Sequence, residues 1–61
     1  MKITLKAARV NAGLSQAQVA KKVQVNPLTI ARWESGKNSI PASKFKFLCE
    51  IYGCKEEEVK I

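Results

Sequence analysis

The sequence predicts an all-α fold, a compact bundle of five short helices. Three observations carry that reading. No window of the 61 residues alternates apolar and polar side chains as a half-buried strand does. Apolar residues recur instead at intervals of three and four, the spacing of one helix face. Helix-start residues at Thr4, Ser15, Asn26 and Pro41 precede those stripes, and Gly13, Gly36 and Gly53 stand where helices end.

Each element follows from local chemistry. Thr4 caps a first helix whose inner stripe is Leu5, Ala8, Arg9 and Ala12, and Gly13 supplies the left-handed residue that ends it. Ser15 and Gln18 make a capping box, in which each side chain reaches the other's free backbone N–H. Leu14 and Val19 fit a hydrophobic staple across that start, so the second helix covers about 16–23. Its buried face is Val19, Ala20 and Val23, with Lys21 and Lys22 toward water. Asn26 then caps a third helix, Pro27 suits its first position and Val25 staples onto Ile30. Ile30 and Trp33 point inward, and Gly36 closes the helix before a turn at Lys37, Asn38 and Ser39. The second and third helices, joined by so tight a turn, read as a helix-turn-helix. Pro41 leads into a fourth helix over about 42–52, with Phe45, Leu48, Cys49 and Tyr52 as its core stripe and Gly53 as its stop. A short fifth helix is expected at Glu56, Glu57 and Glu58, three carboxylates at its positive end, with Val59 and Ile61 returning to the core.

Length and composition exclude several classes. A chain this short buries only about 60% of its unfolded surface, enough for one small core. Apolar residues make up 46% of it, which is globular rather than disordered. Two cysteines do not build a disulfide scaffold. No 18-residue apolar run crosses a membrane, and residues 1–4 do not resemble a secretory leader, so a reducing, cytoplasmic setting is expected. Histidine is absent, so Cys49 and Cys54, five apart, lack the partners of a zinc site. Both are expected as small buried hydrophobes, and a redox role is the lesser reading. Phosphate-binding glycine loops and nucleophile–base constellations are missing too, so neither enzyme nor cofactor is expected.

Charge gives the positive signal. The chain carries +6, unevenly: residues 1–49 hold nine bases and one acid, Glu34, while residues 50–61 hold two bases and four acids. A basic body points to a polyanion, nucleic acid first. The one early acid has a second task. Arg9 lies within an apolar stripe, where a guanidinium is costly unless paired, so an Arg9–Glu34 ion pair is expected.

From Leu5 to about Val59 the chain resembles the Cro and phage-repressor helix-turn-helix family, often called XRE-type. The resemblance rests on Leu14-Ser15-Gln16, Val19-Ala20, Val25, the run Ile30-Ala31-Arg32-Trp33-Glu34-Ser35-Gly36-Lys37 and the close Ile51-Tyr52-Gly53. It implies a lambda-repressor-like DNA-binding domain spanning 1–61, with its motif at about 16–35. It also implies a small bacterial or phage-type regulator, a repressor that binds a two-fold symmetric double-stranded operator as a homodimer. One departure stands out: the family usually has glycine where this chain has Gln24, and a left-handed non-glycine residue costs about 1 kcal/mol.

The candidate site residues divide by role. With Ile30 and Trp33 inward, the outward positions of the third helix are Pro27, Leu28, Thr29, Ala31, Arg32 and Ser35. The resemblance makes Pro27, Leu28 and Arg32 base-facing when that helix enters the major groove. Arg32 can bond guanine O6 and N7 together, or make a plain phosphate contact. Pro27 and Leu28 offer only apolar contact to thymine methyls, and Asn26 is divided between cap and base. By the same resemblance Gln16 belongs to one phosphate clamp, and Thr29, Lys37 and Asn38 to a second. Lys44 is expected as an ordinary solvated lysine. Phe47 and Ile51, four apart and off the core stripe of the fourth helix, are candidates for a dimer surface or for packing beneath the last helix. The alternative functions are an antitoxin or adaptor whose chief partner is a protein, and non-specific nucleic-acid packaging.

Overall fold

The computed structural model describes residues 2–60 and contains four α-helices, at the places where the cap and stop residues predict them. They are α1 (Leu5–Asn11), α2 (Gln16–Val23), α3 (Pro27–Ser35) and α4 (Ala42–Tyr52). Their first turns are satisfied by side chains. Ala7 N donates to Thr4 Oγ1 at 3.0 Å. Gln18 N donates to Ser15 Oγ at 3.1 Å while Ser15 N donates back to Gln18 Oε1 at 2.8 Å. Leu28 N donates to Asn26 Oδ1 at 2.8 Å, and Pro27 occupies the first helical position. Only α4 starts without a side-chain cap, at Pro41.

All four helices end by one device, in which a left-handed residue lets a later N–H reach back across the last turn. Leu14 N reaches Arg9 O, Val25 N reaches Ala20 O, Lys37 N reaches Arg32 O and Cys54 N reaches Cys49 O, at 2.9–3.2 Å. The left-handed residue is glycine in three cases; after α2 it is Gln24, at φ 60°. That strained position has support from α4. Lys44, half-buried rather than freely solvated, donates from Nζ to Val23 O at 3.1 Å. It places a cation on a carbonyl that the end of α2 leaves open.

The core gathers residues from every helix: Leu5 and Ala8 from α1, Val19, Ala20 and Val23 from α2, Ile30 and Trp33 from α3, and Leu48, Cys49 and Tyr52 from α4. The expected stripes hold with three exceptions. Phe45 is only half-buried and packs against the edge of the core. Ala12 caps the end of α1 and is exposed, and Cys54 is only half-buried.

The fifth helix is a correction. Glu56–Glu58 form a single 3-10 turn, with Val59 N on Glu56 O and Lys55 N on Glu58 Oε1 at 2.8 Å. The chain cannot continue as a helix because Val59 and Lys60 extend as a strand, β2. They pair in parallel with β1 (Ile3–Thr4), Ile3 opposite Val59 and Thr4 opposite Lys60. Val59 is buried as expected, and Ile61 lies outside the described residues.

Candidate nucleic-acid interface

A fork of hydrogen bonds fixes α3 against the start of α2. Arg9 Nε donates to Glu34 Oε2 at 2.6 Å, and a second guanidinium nitrogen donates to Oε1 at 3.3 Å. The remaining nitrogen donates to Leu14 O at 2.8 Å, and Gln16 Nε2 donates to Glu34 Oε1 at 3.0 Å. The two charged side chains are 9% and 5% exposed, so the pair is desolvated and held by geometry. Its hydrogen bond to Glu34 raises the Arg9 pKa further, against the opposing effect of burial. Arg9 and Glu34 thus unite α1, the loop before α2, the start of α2 and α3 in one cluster. Beside it, burial and the Glu34 charge push the Tyr52 phenol up to about 12. Its buried hydroxyl has no hydrogen-bond partner among the described residues.

With Ile30 and Trp33 held in the core, the opposite side of α3 stands open. Pro27, Leu28 and Arg32 are exposed, Leu28 to 56%. Thr29 and Ala31, expected outward with them, are half-buried. Asn26 is exposed, but its side-chain oxygen is taken by the cap, which leaves its amide N–H groups for any other contact. Arg32 forms no ion pair among the described residues.

The edges of the motif carry the other candidates. Gln16 is half-buried, and one of its two amide N–H groups is already given to Glu34. Beyond α3, Lys37 and Asn38 are exposed and line a groove with Trp33, Gly36 and Ile40. Lys60 lines the same groove, a cation that sequence reasoning placed in the acidic end of the chain and so left out. Only the pairing of β2 with β1 brings it there. Val10 is 57% exposed on α1, an apolar side chain on the face opposite the stripe of Leu5, Ala8 and Arg9. Phe47 is 41% exposed, whereas Ile51 is half-buried and packs against the core.

Among the described residues no helix is long and apolar enough to cross a membrane, and no group of three metal-ligating side chains forms. The geometry is that of two short helices at a fixed angle, with one polar-edged helix face presented to solvent. A protein-family model described as helix-turn-helix matches residues 5–59. No curated protein and no solved structure matches the chain.

Proposed function

Because this chain belongs to the XRE-type helix-turn-helix family, a family of DNA-binding transcription regulators rather than enzymes, we propose that it is a repressor that binds a two-fold symmetric operator as a homodimer. The observation that carries this reading is the bare outer face of α3. Leu28 and Arg32 are exposed there, while Ile30 and Trp33 anchor the other side in the core. A helix held so firmly by one face can enter a major groove with the other without rearrangement.

In this reading the domain spans 1–61 and its motif 16–35. Arg32 donates to guanine O6 and N7, Pro27 and Leu28 lie against thymine methyls, and Asn26 offers its amide N–H at the edge. Phosphates are met by Gln16 with its remaining N–H and by Thr29, Lys37 and Asn38. Lys60 adds a cation to the second of these clusters. The half-sites of the operator are read by two copies that meet through Phe47 and Ile51.

Selection from a pool of random duplexes at near-physiological salt tests the proposal. The expected product is a palindrome whose half-site centres lie about one helical turn apart. Recovery of no motif, with affinity that falls steeply as salt rises, would leave phosphate attraction alone. A second reading, an adaptor whose chief partner is a protein, draws on the exposure of Phe47. It predicts that Arg32→Ala spares the partner complex.

A further inference from the structure

Cys49 and Cys54 occupy two special places at the end of α4. The left-handed Gly53, at φ 71°, turns the chain so that Cys54 N donates to Cys49 O at 3.0 Å. In this helix stop the two residues joined by that bond are also the two whose side chains meet. At the ends of α1 and α2 the corresponding pairs are Arg9 with Leu14 and Ala20 with Val25; here both members are thiols. Cys49 is buried and Cys54 half-exposed, and both line one surface groove with Lys46 and Lys55. The two thiols also sense each other: after burial, Cys54 is the next cause that raises the Cys49 pKa, ahead of Glu56.

We propose that Cys49 and Cys54 are an oxidation site, at which an oxidant of the peroxide class closes an intrachain disulfide. The accessible Cys54 thiolate attacks the peroxide, its sulfur takes one oxygen to become a sulfenic acid, and the other oxygen leaves as water or alcohol. Cys49 sulfur then displaces that oxygen as a second water, and the new S–S bond holds the electron balance: two thiols oxidised, one peroxide reduced. Cys54 N lies 3.0 Å from Cys49 O and the two thiols are in hydrogen-bond contact, the close approach that a disulfide needs. The bond joins the last turn of α4 to the segment that leads into Glu56–Glu58 and β2, and so locks the strand pairing at Ile3 and Val59. No residue of α3 lines the groove that holds the two thiols, so the site acts on the stability of the fold rather than on base contacts.

The test treats the full chain with hydrogen peroxide, and separately with a thiol-specific oxidant, and reads intact mass, non-reducing gels and the thermal midpoint. The expected result is a loss of two hydrogens per chain at unchanged chain number, reversed by dithiothreitol, with a higher midpoint in the oxidised form. Cys54→Ser, a substitution at a half-exposed position, should abolish both the mass change and the midpoint shift while far-UV circular dichroism stays native. Cys49→Ala provides the same control from the buried side. Chains that remain reduced, add oxygen atoms instead, or cross-link only between copies would overturn the proposal. So would an oxidised form whose midpoint is no higher than that of the reduced chain.

Discussion

Arg9 and Arg32 carry the same side chain into opposite circumstances. Arg9 spends its donors inside the protein, on Glu34 and Leu14 O, and breaking such a buried pair by removing one partner costs about 3–5 kcal/mol. Arg32 keeps its guanidinium in solvent, where its loss leaves nothing uncompensated. Arg32→Ala is therefore expected to change unfolding free energy by less than about 0.5 kcal/mol. It should remove about 1–3 kcal/mol of discrimination between the selected operator and a scrambled duplex. Titration of both duplexes, with a thermal melt of the variant, checks this; equal discrimination would move base reading to Asn26 or Leu28. Two buried acids set an alkaline limit. Folded Cys49 keeps its proton until about 11 against an ordinary 9.0, and Tyr52 until about 12 against 10.0. The unfolded chain releases these protons first, so stability is full below about pH 9 and falls as pH climbs through 9–11 and then 10–12. Urea midpoints across that range should decline, and Cys49→Ala should flatten the lower part of the decline.

At the scale of elements, the α2–α3 corner decides the presentation of the site. Three residues, Gln24, Val25 and Asn26, separate the helices, and the middle one is anchored on the core. Gln24 sits at φ 60° and ψ 49°, where an L side chain crowds its own carbonyl. Gln24→Gly relieves that strain but frees the unfolded chain, and the balance is a gain of about 0.5–1 kcal/mol. Chemical denaturation of the two proteins reads it directly. A loss of stability would mean that the Gln24 side chain contributes contacts outweighing its backbone. The corner was largely legible beforehand, because capping and stop signals act between neighbours. The Lys44 bond to Val23 O was not: 21 residues separate donor and acceptor, and a lysine on a helix carries no mark of the partner it meets.

For the whole molecule, the unequal charge matters most. Residues 1–49 carry an excess of eight positive charges and hold the entire motif, so DNA affinity should fall steeply with added salt. In the proposed homodimer the contact is the patch at Phe47, which is 41% exposed where a core side chain would be hidden. Phe47→Lys is expected to leave the fold intact, reduce self-association in sedimentation runs and weaken binding to a palindrome more than to a half-site. A variant with unchanged mass in solution and unchanged palindrome affinity would place the dimer surface elsewhere, with exposed Val10 as the next candidate.

Four of the five expected helices, their starts and stops, the Arg9–Glu34 pairing and the exposure of Pro27, Leu28 and Arg32 on α3 were legible in the residues alone. These follow from contacts within a few residues, or from the need of one buried charge for the one acid before residue 50. The remaining features depend on contacts between distant parts of the chain. A two-residue strand shows no periodicity, so the pairing of Ile3 with Val59 is invisible until the ends of the chain meet. That pairing explains why Glu56–Glu58 stops after a single 3-10 turn: the backbone that a fifth helix would use is extended along β1. It also carries Lys60 to the groove of Lys37 and Asn38, far in sequence from the basic body it joins.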